Sequence, residues 1–137
     1  MAITILVLGF PLSSLLRRIY LEVGNGAFGL SPLDESFHEL AMSLVDSYVG
    51  LRSESGGNEN GECFWPEKLL IIYDHGCNSY SCLDCAHPKH RVLRNDNNKD
   101  LHAYALEAPS FQKWLQALLD GTLYLHFDWD AAKKSHF

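Results

Sequence analysis

The chain has 137 residues, 47% of them hydrophobic and 20% charged, which is enough apolar material for an ordinary core and argues against intrinsic disorder. Eleven Lys and Arg against seventeen Asp and Glu leave a net charge of -6. That balance argues against direct nucleic-acid binding, which depends on basic side chains releasing counterions from phosphates, and it suits a basic partner. The length fits one domain over residues 1–137.

The apolar start, Ile3 to Phe10, is shorter than the ~20 residues a bilayer span needs. It also lacks the basic beginning and small-residue cleavage site of a secretory signal. Together with only four cysteines, Cys63, Cys77, Cys82 and Cys85, this gives the expectation of a cytoplasmic chain with reduced thiols and no membrane partner.

Pro11 is expected to open a first helix, with Leu12, Leu15, Leu16, Ile19 and Tyr20 as its apolar stripe and Gly24 as a left-handed cap. A glycine-hinged turn, GNGAFG, follows. Ser36 and Glu39 form an S-x-x-E capping box. Phe37, Leu40, Ala41, Leu44, Val45 and Tyr48 then recur at helical spacing up to Gly50. The stretch 53–62, SESGGNENGE, reads as a flexible loop within the domain.

Leu69 to Tyr73 is an unbroken apolar run, expected as a strand covered on both faces. Gly76 turns the chain into a second strand, Asn78 to Ala86. A third strand, Arg91 to Arg94, is joined by the polar loop NDNNKD to a fourth, Leu101 to Glu107. Ser110 caps a last helix whose stripe is Phe111, Trp114, Leu115, Leu118 and Leu119, and Gly121 ends it. Leu123 to Trp129 is a final strand or packed tail. The order describes an α+β fold: a sheet of roughly four to six strands, antiparallel or mixed, with about three helices packed on it.

Chemistry-bearing motifs are few. Cys77, Cys82, Cys85 and His87 are close enough in sequence to suggest a zinc or thiol site. However, Cys82 and Cys85 fall three apart on an expected strand, so their sulfurs point to opposite faces. Gly24, Gly26 and Gly29 spell G-x-G-x-x-G, yet they follow a helix, whereas a dinucleotide loop follows a strand. There is no Walker loop and no G-x-S-x-G elbow. No cofactor is expected. The aromatic residues Trp65, Tyr73, Tyr80, Tyr104 and Trp114 are the stronger clue, since aromatics beside carboxylates characterise protein interfaces.

Three segments in order, FPLSSLLRRIYLEVGNGAFG, WPEKLLIIYDHGCNSYSCLDC and SFQKWLQALLDG, resemble the opening helix with its glycine turn, the central strands and the closing helix of the SUKH (Smi/Knr-like) superfamily. The resemblance implies helices against an antiparallel sheet and a non-catalytic protein-binding role. Bacterial members are immunity proteins that neutralise toxins, often nucleases, and fungal members are regulatory scaffolds. On this reading the chain occludes a basic toxin domain, and Trp65, Asp74, His75, Gly76, Tyr80 and Asp84 form the partner-binding patch. The alternatives are a small zinc- or thiol-dependent enzyme using Cys77, Cys82, Cys85 and His87, or a regulatory adaptor without a toxin partner.

Overall fold

The computed structural model describes residues 8–33, 43–54, 65–96 and 104–123. These form three helices and a four-stranded antiparallel sheet, an α+β fold. The strands are β1 (Leu69–Gly76), β2 (Ser79–Asp84), β3 (Val92–Asp96) and β4 (Tyr104–Ala108), and they lie in chain order as a meander. No helix among the described residues is long and apolar enough to cross a membrane. Residues 1–7, most of the expected flexible loop 53–62 and the segment after Leu123 lie outside the described residues.

The middle strands are buried on both faces. Ser81, Cys82, Leu83 and Asp84 of β2 and Val92 to Asn95 of β3 are consecutive, so alternate side chains point opposite ways, and all are buried. This agrees with the apolar continuity of β1, where Leu69, Leu70 and Ile72 are also buried. β2 ends at Asp84. Cys85 therefore lies in the turn that follows it and not on the strand, where its N–H donates to Lys68 O at 2.9 Å.

Helix α1 (Ser14–Arg18) starts three residues later than Pro11 suggests. Ser13 supplies the cap, its Oγ accepting from Leu16 N, because a side-chain acceptor satisfies a first-turn donor. Its end widens into a π-type turn, Ile19–Val23, closed by Gly24 N donating to Ile19 O. Gly24 is not a left-handed cap; it sits at φ 149°, ψ 164°. The turn that follows, Ala27–Gly29, runs back along β1, with Ser31 N donating to Ile72 O at 2.8 Å. It comes so close that a Cβ on Gly29 would stand 3.2 Å from Tyr73 Cε2.

Helix α2 (Leu44–Glu54) corrects two further expectations. Ser43 is non-helical, so the expected continuous helix is interrupted, and its Oγ accepts from Asp46 N at 3.1 Å to cap the helix that starts at Leu44; the expected box of Ser36 and Glu39, with Phe37, Leu40 and Ala41, lies outside the described residues. Gly50 does not end it; the helix passes through to Glu54. Leu44 and Tyr48 are buried as their spacing requires, and the Tyr48 hydroxyl accepts from Lys68 N. Helix α3 (Phe111–Asp120) matches its expectation at both ends. Ser110 Oγ accepts from Lys113 N, and Gly121 adopts the left-handed cap.

The β1–β2 hairpin closes through Cys77 and Asn78 at φ 53° and 62°, with Gly76 and Ser79 paired across its base. Two left-handed residues make the mirror-image turn whose twist matches the strands. Asparagine tolerates this backbone, whereas cysteine is strained by its Cβ. Replacing the exposed Cys77 by Asn should therefore raise stability by about 0.5–1 kcal/mol in urea denaturation.

Candidate functional site

Cross-strand pairing places Tyr73, Ser81, Arg94 and Ala105 in one row, because Tyr73 pairs with Ser81, Ser81 with Arg94, and Arg94 with Ala105. Two bulges add to the same face. On β4 the step from Val92 to Leu93 spans Ala108 to Leu106, so Glu107 is the extra residue. On β1 the pairs Asp74–Tyr80 and Gly76–Ser79 leave His75 extra. A bulge re-aims a side chain without breaking the sheet. Here both bulged side chains converge on Ser81.

Glu107 is the centre of this cluster. Its side chain is 1% exposed. Oε1 accepts from Ser81 Oγ at 2.5 Å and from Trp114 Nε1 of helix α3, and Oε2 accepts from Arg94 Nε. A buried carboxylate is costly unless paired and hydrogen-bonded, and here a cation and two neutral donors surround it. Trp114 is fully buried, stacked beside Phe111 and edge-on to Tyr73, so the indole N–H ties the helix to the sheet inside an aromatic layer.

His75 Nε2 lies 2.6 Å from Ser81 Oγ. Since Ser81 gives its only proton to Glu107, the histidine must be the donor, and the imidazole is therefore the Nε2–H tautomer. In a hydrolytic triad the imidazole stands between hydroxyl and carboxylate. Here the hydroxyl stands between the other two, and Ser81 is fully buried. The arrangement does not activate Ser81; it positions His75.

Burial, reinforced by the Arg94 guanidinium and partly offset by Asp74, lowers the His75 pKa from its ordinary 6.5 to about 4. The thiols follow the same rule. Burial pushes Cys85 up to about 12 and Cys82 well above its usual value, with Asp84 and Glu107 respectively adding to the effect. Both stay protonated near neutrality and are weak nucleophiles.

The six residues expected to form one patch do not come together. Asp74, His75, Gly76 and Tyr80 lie at the turn end of the β1–β2 hairpin. Trp65 and Asp84 lie at the other end, beside Leu69, which is seven residue steps or roughly 23 Å away along the strand. Trp65 is a core residue, 6% exposed, with its Nε1 donating to Leu69 O and its ring against Tyr104. Asp84 is buried in an ion pair with Arg91 at 2.9 Å. Gly76 supplies a φ of 82° and not a close approach, since nothing lies within 4 Å of an added Cβ.

The cysteines are likewise separated. Cys77 is exposed at the hairpin turn, Cys82 is buried opposite Ile71 in mid-sheet, and Cys85 and His87 lie beyond the far end of β2. No three His, Cys, Asp or Glu side chains among the described residues are grouped to hold a metal ion.

At the turn end, Asp74, Cys77 and Asn78 are exposed, with Tyr80 and Asp96 half-buried beside them. Asp74 is exposed and directly opposite half-buried Tyr80, and Asp96 pairs with Ser79 one step nearer the turn. Burial and the Asp74 charge both raise the Tyr80 phenol pKa, which reflects how close the two side chains are. Asp74 Oδ1 also accepts from Gly76 N at 2.7 Å, fixing the carboxylate against its own turn.

The fold defines a four-stranded meander carrying a helix clamped to one face. No protein-family model matches the chain, and no curated protein or solved structure is significantly similar to it.

Two outcomes test this geometry. Glu107→Ala should cost about 3–5 kcal/mol in urea denaturation, since it removes the acceptor shared by Ser81, Arg94 and Trp114 and breaks a buried ion pair, and Glu107→Gln should cost less by keeping an acceptor. The unfolded chain takes up a proton near pH 6.5 and the folded His75 only near 4, so stability should fall as pH drops through that window. The slope in that window is bounded by the roughly 1.4 kcal/mol per pH unit of a single proton, and His75→Gln should flatten it.

Proposed function

We propose that this chain is a non-catalytic, immunity-type domain that binds a basic protein, such as a toxin nuclease, through the turn end of the β1–β2 hairpin. One observation carries the reading. Asp74 and Tyr80 stand opposite each other at the solvent edge, while the polar groups behind them are tied into the buried Glu107 network. A surface pre-organised in this way loses little entropy on docking. Tyr80 is of a type enriched in interface hot spots, and Asp74 supplies charge complementary to a basic partner.

The net charge of -6 would speed encounter with a basic surface, and Asp74 and Asp96 would give that encounter a local direction. His75, held neutral, keeps a positive charge away from the patch. The resemblance to Smi/Knr-like immunity proteins agrees with occlusion as the mechanism. The thiols of Cys82 and Cys85, which form no disulfide, are in keeping with a reducing, cytoplasmic setting.

The direct test is co-expression with the product of the neighbouring gene. Rescue of growth and a complex that co-elutes in gel filtration support the reading. In isothermal titration Asp74→Lys and Tyr80→Ala should each weaken the complex about tenfold or more at a temperature where circular dichroism shows the variant still folded. A toxic neighbour that the chain neither binds nor neutralises would refute the immunity role. Binding without any toxicity to neutralise would make the chain a regulatory adaptor.

A further inference from the structure

Leu21, Val23 and Phe28 are three of the five large apolar side chains that the described residues expose, at 59%, 59% and 45%. They belong to one loop. The Tyr20 hydroxyl donates to Ser31 O at 2.7 Å and pins the ends of this loop together, and Ser31 N fastens it to β1 through Ile72 O. Within it, Ala27 N donates to Gly24 O at 3.4 Å, so the chain reverses over Gly24–Ala27 and sets Val23 and Phe28 at the two ends of a tight turn. Leu21, Glu22 and Val23 are consecutive and all exposed, so the π-type turn projects into solvent. A short loop with pinned ends is normally packed by its own side chains. This one turns three apolar side chains outward.

Phe28 adds a second observation. Its backbone lies at φ 59°, ψ 17°, the left-handed region that a bulky side chain disfavours. Burial does not offset this strain, since the residue is exposed. Strain kept at an exposed aromatic residue points to contacts made outside the chain.

The charges beside the loop bear on what covers it. Arg18 and Glu22 lie one turn apart, joined by contacts of 3.3 and 3.2 Å, and their side chains are 69% and 59% exposed. An exposed pair of this kind contributes little within one chain, so either member can change partners at low cost. An apolar centre edged by one cation and one anion is complementary to itself. A two-fold rotation sets the cation of one copy against the anion of the other. We propose that a second copy of this chain docks here as a weak two-fold dimer. Leu21, Val23 and Phe28 of the two copies pack about the axis, and Arg18 of each pairs with Glu22 of the other. So small an apolar centre fits reversible association. The surface shares no residue with the hairpin end, and the inference does not rest on the immunity reading.

Sedimentation equilibrium of the full-length protein at concentrations up to about 1 mM tests the proposal. A reversible monomer–dimer equilibrium is expected, with a dissociation constant below about 1 mM. Phe28→Gly removes the ring and suits the left-handed backbone, so it should weaken the dimer about tenfold or more while circular dichroism shows the variant folded. Arg18→Glu and Glu22→Arg should each weaken self-association as well, because each sets like charges across the axis. An equimolar mixture of these two variants makes both cross-axis pairs opposite in charge again and should recover association, which a misfolded variant could not do. A chain that stays monomeric at about 1 mM, a Phe28→Gly variant that dimerises unchanged, or a mixture that associates no more tightly than its separate components would overturn the proposal.

Discussion

The buried carboxylate of Glu107 is the constraint on which the rest depends. A lone charge in that position would be untenable, so three donors from three elements must arrive together: Ser81 from β2, Arg94 from β3 and Trp114 from helix α3. Satisfying one anion therefore fixes the strand register, the seating of the helix and the rotamer of a large aromatic residue. It also reaches the surface, because Ser81 passes the constraint on to His75, next to the exposed Asp74. A hydrophobic cluster of equal volume would pack as well but would not specify these directions.

Much of the architecture was legible in the sequence because its signals are local. Ser110 and Gly121 bound helix α3, and the apolar run from Leu69 announces a doubly covered strand. Where signals competed, the local hydrogen bond decided. Ser43 begins an S-x-x-acid pattern of its own and caps the helix that starts at Leu44. Pro11 is a permissive first-turn residue, but Ser13 offers an acceptor and takes the cap.

The site was less legible, for a physical reason. Glu107 and His75 act through bulges, and a bulge is a change of register between strands that neither strand announces alone. Ser81, Arg94 and Glu107 could have been noticed as polar residues inside strands expected to be buried. Such residues need partners, and that is the signal which points to the cluster. Trp65 and Asp84 lie near the hairpin residues in sequence, which suggests one patch. The antiparallel pairing separates them by the length of a strand.

The result is a sheet with two dissimilar ends, the hairpin turn with exposed Asp74 and half-buried Tyr80 at one and the buried Asp84–Arg91 ion pair at the other, held in fixed relation by the Glu107 clamp. Exchange of the Trp114 indole proton with deuterated solvent measures that clamp most directly. If the clamp opens only when the protein unfolds, this proton will exchange as slowly as the most protected amides of β2 and β3. Exchange orders of magnitude faster than those amides, under conditions where the sheet stays protected, would show that the helix detaches locally and that Glu107 does not hold the structure together.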